Sequence, residues 1–169
     1  MVNRPPKDHD KIEVTSSACS MHEVGDVYAG YADKDELIAF CNELLEAERA
    51  GARVTLESAH TANSGPLAAL LKTIQRDEAR WCAMLVRHLK VLGRIPSSKI
   101  GGFYEKAMAI SELSERLVFL NRGQSWVVRK LREMLPRVRD YSLNHDLTEM
   151  LQSHEANIKL ATEFSARAL

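Results

Sequence analysis

Apolar residues recur at steps of three and four in four separate stretches of this chain, the spacing of one buried helical face. The first series is Leu37, Cys41, Leu44, Ala52, Thr55 and Ala59. Asp33 stands at its start as a cap, with Glu36 three residues on in a capping-box arrangement. This predicts a helix from just after Asp33 to Ala59 or His60, followed by a turn over the breaker-rich run 61–66. The second series, Leu67, Leu71, Ile74, Trp81, Leu85, Leu89 and Leu92, opens on Pro66 and stops at Gly93. The third, Leu113, Leu117, Leu120, Val127, Leu131 and Met134, predicts a helix over 110–134 with Pro136 just beyond. The fourth, Leu143, Leu147, Met150, Leu151, Ile158 and Ala161, begins near Asp140 and runs close to the end of the chain. No stretch alternates with the period of a strand. Helices of roughly 25 residues, each about 37 Å long at ~1.5 Å per residue, predict an all-α four-helix bundle over 33–169.

Two segments fall outside this pattern. Residues 1–32 mix small and polar side chains without a period and read as a tail, with Tyr28 and Tyr31 placed to pin its end to the bundle. Residues 93–102 are rich in Gly, Pro and Ser and run into Phe103 and Tyr104. Extended chain covers up to ~3.3 Å per residue, so this segment is long enough to cross the length of a bundle, and a folded local loop is the alternative.

Each apolar stripe has a single polar interruption near its middle: Glu48, Glu78, Gln124 and His154. Mid-points of helices of similar length fall at one height whichever way the helices run. The four side chains are therefore expected to meet in one internal layer. Burying two carboxylates is costly unless they are paired, protonated or bound to a metal. Arg53, Arg80, Arg122 and Arg129 point away from the stripe at ~100° per residue, which leaves His154 as the cationic partner. Two carboxylates and an imidazole suit a metal with hard oxygen and nitrogen ligands, and they also suit proton sharing. The plain alternative is a hydrogen-bonded cluster that fixes helix register.

Composition narrows the classes. Lys and Arg number 23 and Asp and Glu 23, so the basic excess of a nucleic-acid-binding surface is missing. No apolar run reaches the ~20 residues of a membrane span, and the polar start with Pro5 and Pro6 lacks the apolar stretch of a signal peptide. Three cysteines, Cys19, Cys41 and Cys82, lack metal-ligand spacing and read as reduced thiols, so the expected location is cytoplasmic. No Ser or Cys has a His and an acid placed to activate it.

The stretches Leu44-Leu45-Glu46-Ala47-Glu48-Arg49-Ala50-Gly51, Arg76-Asp77-Glu78-Ala79-Arg80-Trp81 and His154-Glu155-Ala156-Asn157 resemble the ferritin-like superfamily, in particular uncharacterised bacterial ferritin-like domains. The resemblance covers about 34–167 and implies a long crossover between the second and third helices. Di-iron members of that superfamily place a Glu on the first and third helices and Glu-x-x-His on the second and fourth. Glu48, Glu78 and His154 match that pattern, whereas Trp81, Gln124 and Leu151 occupy the other three ligand places. The resemblance thus implies a reduced metal site of Glu48, Glu78 and His154 for iron, manganese or zinc, with Gln124 and Glu155 as neighbours, or a site that has lost its metal.

Phe119 and Trp126 fall on the outward side of the third helix and need cover, which points to a homodimer, with a cover from the N-terminal arm or from the segment around Phe103 and Tyr104 as the alternatives. Three functions stand open: a helical domain that acts by association, a metal-dependent oxidoreductase, and a bundle that binds a small molecule beside Trp81 and the polar layer. His88 and Asp77 read as boundary and solvated residues.

Overall fold

The computed structural model describes residue 25, residues 29–62 and residues 65–167. Tyr28, Cys19 and most of the tail lie outside the described residues, as do Asn63 and Ser64 of the expected turn. The helices are α1 (Lys34–Thr61), α2 (Gly65–Val91), the short α3 (Phe103–Met108), α4 (Leu113–Met134) and α5 (Tyr141–Arg167). A single 3-10 turn, Leu135–Arg137, leads from α4 towards α5.

The expected caps are in place. Asp33 accepts from the Glu36 N–H at 2.7 Å, and Asp140 accepts from the Leu143 N–H at 2.7 Å. Such caps each stabilise a helix by ~1 kcal/mol. Glu36 does not return to the cap backbone; its carboxylate pairs with Arg137, at 2.8 Å from Nη2. Gly93 ends α2 with φ +74°, a left-handed conformation that favours glycine. The third long helix starts at Leu113, not near 110 as the periodicity predicts. Residues 103–108 form α3 instead, and the chain between α3 and α4 is fastened by buried Arg116, which donates to the Ile110 carbonyl and to Ser58 Oγ.

Contacts along α1 fix the topology. The segment after α2 passes Asp35 at Arg94, Asn42 at Ser97 (2.8 Å) and Glu46 at Gly101 (3.0 Å), after which Tyr104 of α3 reaches Glu57. It therefore travels the length of α1, as a crossover and not a local loop. α4 then starts beside Ser58 and ends beside Glu36, antiparallel to α1. α5 returns antiparallel to α2, as the Arg87–Asp146, Arg80–Glu149 and Asp77–Asn157 pairs show. The order is up, down, down, up.

The core has two apolar clusters. One is centred on Leu44, Trp81, Leu85, Leu131 and Met150, the other on Val54, Ile74, Leu120 and Ala161. The polar layer lies between them. Cys41 is buried and Cys82 half-buried, both free thiols whose pKa burial pushes up to about 12, so neither is a ready nucleophile. Among the described residues no helix is long and apolar enough to cross a membrane.

Candidate functional site: a buried carboxylate and imidazole layer beneath an apolar cleft

Glu48 of α1, Glu78 of α2, Gln124 of α4 and His154 of α5 are exposed by only 2%, 3%, 2% and 1%, and all line one cavity of about 460 Å³. The mid-helix interruptions of four apolar stripes therefore do converge. His154 Nε2 stands 3.2 Å from Glu48 Oε1, an ion-pair distance, although the two are not aligned as a hydrogen bond. Glu48 Oε2, both amide atoms of Gln124 and His154 Nδ1 are also buried without a hydrogen-bond partner. Unpaired polar atoms of this kind are uncommon in a finished core and call for an explanation.

Glu78 is held differently. Its carboxylate lies across Gly51, where an added Cβ would stand 2.6 Å from Oε1, so the glycine opens the space that the carboxylate fills. Thr55 Oγ1 lies 3.4 Å from Glu78 Oε2. Complete burial, reinforced by the Glu48 and Asp77 charges, pushes the Glu78 carboxyl well above the usual carboxylate range, against a smaller downward pull from Thr55. Burial is the largest single influence on His154 and disfavours its imidazolium, but the charge and close contact of Glu48 together with the Asp77 charge outweigh it, and the net shift is upward. The layer thus sets two buried carboxylates against one imidazole. Of the buried cationic side chains among the described residues, Arg116 and His88 are engaged elsewhere and only His154 reaches the cavity.

Other expected neighbours are placed elsewhere. Glu155 is exposed and pairs with Arg132 at 2.7 Å, so it is not part of the layer; one residue past His154, the helix turns it outward. Asp77 is half-buried rather than solvated and accepts from Asn157 Nδ2 at 3.0 Å. His88 is a satisfied boundary residue, 2.6 Å from Asp146 Oδ2. Trp81 is core, with its indole Nε1 3.4 Å from Ser153 Oγ.

The cavity opens between α1 and α4, which pack less closely on each other than α1 on α2 or α4 on α5. Its outer wall is aromatic. Phe103 of α3 stacks on Phe119 with ring centroids 4.9 Å apart and planes within 10°. The Phe103 ring lies over Gly123, where a Cβ would stand 2.8 Å away. Phe119 and Trp126 are therefore half-buried and line the cavity beside Gln124, covered within the chain. Of the two aromatics that pointed to a dimer, Phe119 is covered by Phe103, and Trp126 packs against the first apolar cluster with Lys130 over its ring.

An up-down-down-up bundle with its crossover along the first helix is the ferritin-like four-helix fold. The solved structures agree. The chain is similar to a dodecameric thioferritin, the bacterioferritin-related protein from Bacteroides fragilis, with a TM-score of 0.71 at 12% identity over 87% of this chain and 94% of that one. It is also similar to a ferritin-like, diiron-carboxylate protein from Bacillus anthracis str. Ames, with a TM-score of 0.58 at 18% identity over 79% and 93%. The chain belongs to the family described as domain of unknown function DUF6306, whose model matches residues 35–163. No curated protein matches it.

Proposed function

We propose that this protein is a ferritin-like domain that binds one cation in its core and does not carry a di-iron centre. The observation behind this is the charge of the layer. Glu48 and Glu78 are buried together against a single imidazole, so with both carboxylates ionised the layer is one positive charge short. A proton on Glu78 can make up the difference, and so can a guest. The residues present do not fit a pair of metal ions, because Trp81 and Leu151 stand in two ligand places and Gln124 in a third.

Glu78→Gln tests the charge shortfall. A carboxyl whose pKa is higher folded than unfolded favours the fold most at low pH, and that contribution is lost as pH rises from the unfolded value through the folded one. An amide has the shape of the protonated carboxyl and never ionises. Metal-free Glu78→Gln is therefore expected to melt with the wild type at about pH 4 and roughly 5 °C above it at about pH 8. An equal or lower melting temperature at the higher pH would show that the ionised carboxylate is already satisfied.

A second reading makes the cation a metal. Glu48 and His154 place an oxygen and a nitrogen 3.2 Å apart, the second Glu48 oxygen is unpartnered as well, and this donor chemistry suits iron, manganese or zinc. Among the described residues no group of three His, Cys, Asp or Glu side chains is already gathered to hold an ion. Glu78 would have to leave Thr55 and give up its proton to join Glu48 and His154. Iron or manganese bound there would bring the redox chemistry of an oxidoreductase. Elemental analysis of protein purified without chelators is expected, on this reading, to find about one ion per chain, lost in Glu78→Ala. A metal content unchanged by Glu78→Ala would remove the reading. Self-association is part of the proposal on the likeness to a dodecameric protein, and no longer on Phe119 and Trp126.

A further inference from the structure

We infer that the guest of this layer is an organic cation, a primary ammonium group carried on a planar aromatic body, which enters between α1 and α4. The inference rests on the cation-binding reading above and adds the chemical class. A bare metal ion would use the floor of the cavity and leave the rest without a role. The observed space is about 460 Å³, and its wall includes Phe103, Phe119, Leu120, Trp126 and Val127. Pockets of this size with apolar walls and few polar groups are typical of small organic ligands.

The wall selects a flat body. The stacked rings of Phe103 and Phe119 and the indole of Trp126 line this wall, and Gly123 gives the Phe103 ring room to pack directly on α4. The floor selects the head. Glu48 Oε2 and Gln124 Oε1 are buried acceptors with no partner, on side chains that are 98% buried and line the cavity, and Gln124 Nε2 beside them is an unpartnered donor. The Glu78 carboxylate is the third acceptor, and three acceptors match the three N–H donors of a primary ammonium. The ionisable groups lining the cavity are Glu43, Glu46, Glu48 and Glu78 against Arg122 and His154. An anionic head would meet this acidic excess, and a neutral head would bring no counter-charge. On binding, the ammonium lies among these acceptors as the counter-charge of the layer. Cations over aromatic faces gain further attraction when desolvated.

Calorimetric titration of metal-free protein at about pH 8 with tryptamine tests this. Tryptophol, the same indole with a neutral hydroxyl, and indole-3-acetate, with an anion, serve as controls. Tryptamine is expected to bind at least about tenfold more tightly than tryptophol, with indole-3-acetate weaker than both. Glu78→Gln should erase most of the amine's advantage and leave tryptophol unchanged. Phe119→Ala should weaken amine and alcohol together. Equal affinity for amine and alcohol, no saturable amine binding, or amine binding indifferent to Glu78→Gln would each overturn the inference. The melting behaviour of Glu78→Gln separates the two levels. If its gain at high pH is present while tryptamine fails, the ligand class is wrong and the cation site stands. If the gain is absent, the site itself falls.

Discussion

His154→Leu is expected to lower the stability of the fold by about 3–5 kcal/mol near neutral pH, and the double variant Glu48→Leu/His154→Leu is expected to recover most of that loss. The two side chains are 1% and 2% exposed and 3.2 Å apart, so each is the other's main compensation for leaving water. Removing the imidazole strands Glu48 beside Glu78, with no other buried cation at the cavity among the described residues. Removing both charged partners and filling the space with apolar side chains takes away the charge that needed compensation. The double variant should also lose the site. Urea unfolding curves measure each variant, and the spread between single and double gives the coupling. A single variant that costs less than about 1 kcal/mol at neutral pH would mean that no charge is held by this pair.

The polar layer was legible in the sequence because a helix with one apolar stripe makes any polar residue on it conspicuous. Glu48, Glu78, Gln124 and His154 each interrupt such a stripe at mid-length, and all four meet. Spacing along single helices could not show how the helices sit against one another. That Glu78 lies over Gly51, that Asp77 is tied to Asn157, and that Phe103 covers Phe119 all depend on inter-helix register. A signal was nevertheless present. Gly51 and Gly123 lie inside α1 and α4, where glycine costs about 1 kcal/mol relative to alanine. Each is close in sequence to a layer residue, and each proves to be a place where a neighbouring side chain occupies the space of a Cβ. Arg116 had no such signal. It reads as an ordinary exposed helix cation, and its burial follows from the turn at Ile110 that its guanidinium satisfies.

Trp81→His restores the residue that the di-iron pattern asks for, and it is expected to lower stability by about 3 kcal/mol without restoring metal. Trp81 is 2% exposed and belongs to the apolar cluster of Leu44, Leu85 and Met150. A histidine there vacates much of the indole volume and places a polar ring among aliphatic side chains, so lost contacts and an unpaired imidazole add. The ligand set would still lack the carboxylate whose place Leu151 holds, and Gln124 cannot supply a charge. Chemical denaturation gives the stability loss, and elemental analysis before and after loading with iron, manganese or zinc gives the metal content. Full stability together with stoichiometric metal in this single variant would show that the core had not closed over the old ligand place. Trp81 and Leu151 now belong to the apolar cluster and its margin, while Glu48, Glu78 and His154 keep their polar atoms on the open side. On the proposed reading, the guest of the layer approaches from between α1 and α4 and brings a positive charge with it.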